Sequence, residues 1–156
     1  MSQTMVFVDT SVLVEILAVP GKCQRSEEIR EELRDRVRAG ESLLLPTAAI
    51  IETGNHIAQL RDGTQRRTLV EHFTMLLRGI TSGSAPWVLN AARWDDDLLA
   101  AICGGARGCP PLPEMATQGV GAGDVSILAE AEAYEARTAR VDVRIWTLDQ
   151  GLLAYA

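Results

Sequence analysis

The run Met5-Val6-Phe7-Val8 is apolar at every position and stops on Asp9. A strand with one wet face alternates apolar and polar residues, so an unbroken apolar run reads as a strand buried on both faces. Such strands belong to parallel sheets covered by helices on either side. Residues 43–45, 87–89 and 143–147 repeat the pattern as short strand candidates. Between them lie helical stretches. Residues 12–17 follow the capping types Thr10 and Ser11 and end near Pro20-Gly21. Residues 24–39 carry Ile29, Leu33 and Val37 at spacing four, with Gly40 after them. A helix opens at Pro46-Thr47, runs through Leu60 and stops at Asp62-Gly63. The next covers 64–78, with Leu69, Phe73, Leu76 and Leu77 inward. Residues 90–102 predict a helix with Trp94, Leu98 and Ile102 on one stripe. Residues 104–123, rich in glycine and proline, predict irregular chain, and 124–140 a last long helix before a short closing segment. Short strands alternating with helices make this a three-layer α/β/α domain with a short central parallel sheet. One domain spans 1–156, with 82–122 as a longer, insertion-like Gly/Pro-containing segment.

Charge sets a tension. Fifteen Lys and Arg stand against 21 acids, a net −6, whereas proteins that hold nucleic acid by bulk electrostatics are basic. Acids gathered at a metal site relieve the tension, since two divalent cations would bring −6 to −2. All the basic residues but Lys22 are arginines, whose planar fork suits phosphate and surface ion pairs alike. Three cysteines are too sparse for a disulfide framework and point to a reducing cytoplasm. The opening from Met1 lacks the basic start of a signal peptide. No apolar run reaches the roughly 18–20 residues that span a bilayer.

Ligand crevices of open α/β sheets lie beyond the carboxyl ends of the strands, and four acids map to that edge. Asp9 follows the first strand and Asp149 the last. Asp124 opens a long helix after Gly121-Ala122-Gly123, where glycine lets the backbone turn tightly. Glu52 lies among apolar neighbours in the helix after the second strand. Taken singly, Asp9 and Asp124 read as helix caps, Asp149 as a turn residue and Glu52 as a partly exposed helix residue. Together they must repel one another, shift their pKa values or hold a cation. Oxygen ligands without cysteine or a histidine pair fit Mg²⁺ or Mn²⁺ better than zinc. Such cations neutralise a phosphodiester and lower the pKa of a bound water, so no protein nucleophile is needed. Thr10, Ser11 and Thr147 stand beside the acids as supporting hydroxyls.

Val6-Phe7-Val8-Asp9-Thr10-Ser11-Val12-Leu13 resembles the opening of PIN-domain ribonucleases, especially the VapC-type toxins of bacterial toxin–antitoxin pairs. Leu45-Pro46 through Ile51-Glu52 is similar to their second motif, and Gly123-Asp124-Val125-Ser126-Ile127-Leu128-Ala129 to the third. Ile145-Trp146-Thr147-Leu148-Asp149 is similar to the fourth. Each motif is short, but the four occur in order across nearly the whole chain. The resemblance implies a PIN-like fold, Mg²⁺ or Mn²⁺ held by Asp9, Glu52, Asp124 and Asp149, and endonucleolytic cleavage of RNA. It also implies a homodimer and a cognate antitoxin protein that blocks the site.

Other constellations are weaker. Glu52 and His56, four apart, share a helix face, but one such pair is far short of a ligand set. Asp95-Asp96-Asp97 fan around a helix as a solvated run, and His72 belongs at the surface. Arg61, Arg66 and Arg67 at a helix–loop–helix junction are RNA-contact candidates. Aromatics at 4% leave little stacking capacity for bases, so backbone contacts dominate any RNA binding. Phosphatase and receiver-domain chemistry also place an acid after strand one, but Ser11 stands where the former need a second Asp. The latter need a late lysine, and Lys22 lies early. The alternative function is a catalytically silent PIN-like module binding RNA or protein.

Overall fold

The computed structural model describes residues 2–84 and 86–156. Met1, where the signal-peptide reading begins, and Ala85, inside the 82–122 segment, lie outside the described residues. Four strands, β1 (Gln3–Val8), β2 (Ser42–Leu44), β3 (Trp87–Val88) and β4 (Val141–Trp146), form one parallel sheet in the order β3-β2-β1-β4. Phe7 stands opposite Leu44 on one side and Ile145 on the other, and Val8 opposite Trp146.

The unbroken apolar run of β1 has the predicted consequence. Val6 and Val8 face one core with Leu43, Leu45 and Trp146. That side is covered by α1 (Thr10–Ile16), α2 (Ser26–Arg38), α3 (Thr47–Ala58) and α4 (Gly63–Thr81), through Leu13, Ile29, Ile57, Leu69 and Phe73. Met5 and Phe7 face the other core with Leu44, Val143 and Ile145. There the cover is α5 (Asp96–Gly104), α6 (Leu112–Thr117), α7 (Ala122–Arg137) and α8 (Gln150–Leu153). Each fully buried aliphatic or aromatic side chain contributes about 1.5–3 kcal/mol, so two dry faces hold a sheet whose β2 and β3 are only three and two residues long. Arg36 of α2 stacks on the Trp146 ring at 4.5 Å, roofing one face of β4.

Three local expectations are corrected. The helix predicted over 90–102 starts at Asp96, because Asp95 caps it by accepting the Leu98 amide and Asn90 closes its own turn onto the Ala92 amide. Such side-chain bonds compete with helix. Leu98 and Ile102 reach the core as predicted, but Trp94, left outside the helix, is half exposed. Residues 104–123 are not irregular throughout. Pro111 and Pro113 start α6, since proline suits the first helical turn, and α6 buries Met115 completely. The 82–122 segment is therefore woven into both the sheet, through β3, and the second core. Finally, α1 is capped by the Asp9 side chain rather than by Thr10 or Ser11.

The order β3-β2-β1-β4 sends the chain from β1 to one neighbour and later brings it back to the other, which makes the β1/β4 boundary the topological switch point. The crevice at the carboxyl ends of those two strands is where α/β sheets bind ligands. No helix among the described residues is long and apolar enough to cross a membrane, and all three cysteines are free.

Candidate active site

At that crevice lies an open recess of about 400 Å³ lined by Asp9, Glu52, Asp124 and Asp149 together with Thr10, Ser11, Glu15, Lys22 and His56. The four acids come from four places in the chain. Asp9 leaves β1, its amide donating to the Trp146 carbonyl at 3.0 Å and so extending the ladder by one rung. Its Oδ2 accepts the Ser11 hydroxyl at 2.7 Å and the Thr147 hydroxyl at 2.9 Å. Its Oδ1 is buried without a hydrogen-bond partner. Ser11 Oγ in turn accepts the Leu148 amide at 2.9 Å, and Thr147 Oγ1 accepts the Asp149 amide at 3.0 Å. These two hydroxyls lace the start of α1 to the turn after β4. Asp149 caps α8, with Oδ1 accepting the Gly151 amide at 2.7 Å.

Glu52 approaches from α3, and Thr10 donates to its Oε2 at 2.9 Å. Gly123 stands against it. The tight-turn role expected for this glycine is not the one it plays: Gly123 lies inside α7, outside the positive-φ glycines, and a Cβ there would overlap Glu52 Oε1 and stand 3.2 Å from Cδ. What the glycine supplies is room for a carboxylate. Asp124 follows in the first turn of α7, whose N-cap is Gly121. Its carboxyl is pushed up to about 7, first by burial and then by Asp9, Asp149 and Glu52, while the Gly121 amide pulls the other way. Burial, and behind it the charge of the other three acids, thus favours a retained proton on Asp124.

The donor set suits a hard divalent cation: carboxylate oxygens only, one of them the orphaned Asp9 Oδ1, in a recess that concentrates negative charge. Among the described residues no three Asp, Glu, His or Cys side chains form a ready-made cage. Thr10 holds one oxygen of Glu52 and two hydroxyls hold one of Asp9, so these two acids are individually fastened.

The other candidates separate cleanly. Thr10, Ser11 and Thr147 are all bonded to the acids. His56 shares the recess with Glu52. Arg61, Arg66 and Arg67 are exposed at the α3–α4 junction and do not line it; Arg66 donates to the Leu60 carbonyl and Arg67 to Glu71. Asp95 to Asp97 sit at the start of α5, and Asp95 and Asp97 line a different groove. His72 is exposed. Sequence reasoning missed Glu15, which is buried at the recess and accepts the Gln24 amide at 3.0 Å, the Arg25 amide at 3.0 Å and the Ser26 hydroxyl at 3.2 Å. The signal was present: an acid inside Val12-Leu13-Val14-Glu15-Ile16-Leu17 breaks an apolar run as conspicuously as Glu52 does.

No family model, curated protein or solved structure matches the chain.

Proposed function

We propose that the protein is a Mg²⁺- or Mn²⁺-dependent endoribonuclease of the PIN-domain type that hydrolyses RNA phosphodiester bonds, acting as the toxin of a toxin–antitoxin pair. The observation that carries the reading is the convergence of Asp9, Glu52, Asp124 and Asp149 on one recess at the switch point, with Asp124 pushed up to about 7 first by burial and then by the other three. A divalent cation held by Asp9, Glu52, Asp124 and Asp149 would neutralise charge on the phosphodiester and lower the pKa of a water. The chain's own residues do the rest. Ser11 and Thr147 lock Asp9 Oδ2, which leaves Oδ1 without a partner, and Asp9 would be one of the residues to hold the cation. Thr10 fixes Glu52 against the bare backbone of Gly123. Asp124 carries a proton in mildly acidic solution and gives it up as positive charge arrives. Asp149, bonded through Oδ1 to the turn of α8, offers its second oxygen to the metal or to an attacking water.

The test is cleavage of a total-RNA pool by the purified protein in Mg²⁺, Mn²⁺ or EDTA, beside Asp124→Asn. Discrete fragments that vanish with EDTA and in the variant are expected. Cleavage that persists in the variant overturns the assignment. The homodimer, the antitoxin and a cytoplasmic site of action belong to the same proposal; copurification with a coexpressed neighbouring gene product and sedimentation of the pure protein test the first two. A second reading, the silent binding module, is favoured by the lack of a ready-made cage among the described residues. RNA or protein binding without turnover, indifferent to Mn²⁺, would establish it instead.

A further inference from the structure

The recess holds five acids, counting Glu15, and one lysine. Lys22 is the only lysine in the chain. It enters none of the ion pairs found among the described residues. Its backbone is unusually well fixed for an exposed loop position. On one side, Val19 is fully buried, donates to the Val14 carbonyl at 2.9 Å and accepts the Lys22 amide at 3.0 Å. On the other side, Glu15 gathers the amides of Gln24 and Arg25 and the hydroxyl of Ser26. That acid also does the work of a cap for α2, whose own N-cap residue, Arg25, contributes no side-chain capping bond. The charge of Glu15 is therefore committed to backbone donors. The strap from Leu17 to Arg25 is pinned at both ends, and Lys22 is the exposed residue of it that lines the acid pocket.

We infer that Lys22 is the phosphate-contacting residue of the proposed ribonuclease, binding a backbone phosphate of the RNA strand as it enters the recess, with Glu15 as the positioning residue that holds the strap. The inference rests on the nuclease reading. An all-acid mouth repels RNA, and a single ammonium on a fixed backbone supplies the attractive charge where the strand must turn in. As a compact point charge with rotatable donors it selects phosphate without selecting base.

The test uses that uniqueness: a lysine-specific protease has one site in this chain. A short labelled RNA of mixed sequence is titrated by anisotropy in Mg²⁺, on an Asp124→Asn background so that no cleavage intervenes, across a salt series. Adding Lys22→Ala should weaken binding about tenfold, reduce the salt slope by about 0.7 and do so for every RNA sequence, while Lys22→Arg restores most of the affinity. Bound RNA should slow the single proteolytic cut, and Glu15→Gln should speed it in the absence of RNA. In the wild-type enzyme Lys22→Ala should raise KM and leave kcat nearly unchanged. An unaltered salt slope, or a cut as fast with RNA bound as without, overturns the role of Lys22 while leaving the nuclease standing. Tighter Mn²⁺ binding in Lys22→Ala with RNA affinity unchanged would instead make Lys22 a counter-charge for the acids. Failure of the wild-type protein to bind or cleave any RNA sinks the nuclease reading and this inference with it.

Discussion

Gly123→Ala separates the folding role of a residue from its place in the site. The new Cβ would overlap Glu52 Oε1, a flexible carboxylate end rather than backbone, so Glu52 must swing aside. Doing so breaks its bond from the Thr10 hydroxyl, now 2.9 Å long, a part-buried bond to a charged acceptor worth about 1.5 kcal/mol. Against that, alanine is favoured over glycine in a helix by about 1 kcal/mol, and Gly123 is helical with no positive φ to protect. The two nearly cancel, leaving about 0.5 kcal/mol of destabilisation. For a chain of this length that is a fall in Tm of about 1–2 °C. The carboxylate, however, is displaced from the recess, and Mn²⁺ affinity should drop about ten- to a hundredfold, the scale seen when a ligand's surroundings are disturbed. Thermal melts and calorimetric Mn²⁺ titrations of wild type, Gly123→Ala and Glu52→Gln check both halves. Wild-type Mn²⁺ affinity in Gly123→Ala would refute the claim that Glu52 must occupy that space to hold a cation. A Tm loss above about 5 °C would refute the claim that only a side-chain end has to move.

Two further predictions concern pH in metal-free protein. Asp124 has a folded-state pKa near 7 against an ordinary 3.8, so between those values the folded state holds a proton that the unfolded state has lost, and stability falls as pH rises through that window. Melts in EDTA should show this decline levelling above about pH 7, and Asp124→Asn should remove much of it; an unchanged pH profile in that variant would contradict the raised pKa of Asp124. Glu130 of α7 is fully buried, with Asn90 donating to one oxygen and the other unpartnered. Burial raises its pKa, with the Asn90 side chain opposing. Glu130→Gln should therefore be as stable as wild type or more so at pH 8, an advantage that disappears in acid; a variant less stable at pH 8 would show that the charged form is the satisfied one.

The layers of the fold were legible because each strand advertised itself. A run such as Met5 to Val8 has nowhere to go but between two cores, and Val6 and Phe7 do diverge to opposite ones. Asp9, Asp124 and Asp149 were legible because each ends a strand or opens a helix, and Glu52 because it interrupts apolar neighbours in α3; sheet topology brings the four together. What escaped depends on side chains competing with backbone. Asn90 and Asp95 delay α5 by taking amides for themselves, and prolines that looked like breakers start α6. The purpose of Gly123 is invisible from sequence because it concerns the space of a residue 71 positions away. Glu15 was passed over because nothing local tells a buried cap for a neighbouring helix from an interruption in an apolar face.

The hydroxyl of Thr147 reaches Asp9 across 138 positions, and that separation sets a timetable. During synthesis at about 5–20 residues per second, Asp9 emerges about 7–28 seconds before the strand that lies beside it and the hydroxyl that orients it. Until β4 docks on β1, the central strand has an open edge and Asp124 faces no Asp149. A chain that stops short of β4 therefore lacks both the hydroxyl that orients Asp9 and the Asp149 carboxylate, whatever its other helices have done. Under the proposed ribonuclease activity, which would destroy the protein's own template, a strand order that withholds the site until β4 is in place would be a safeguard written into the topology.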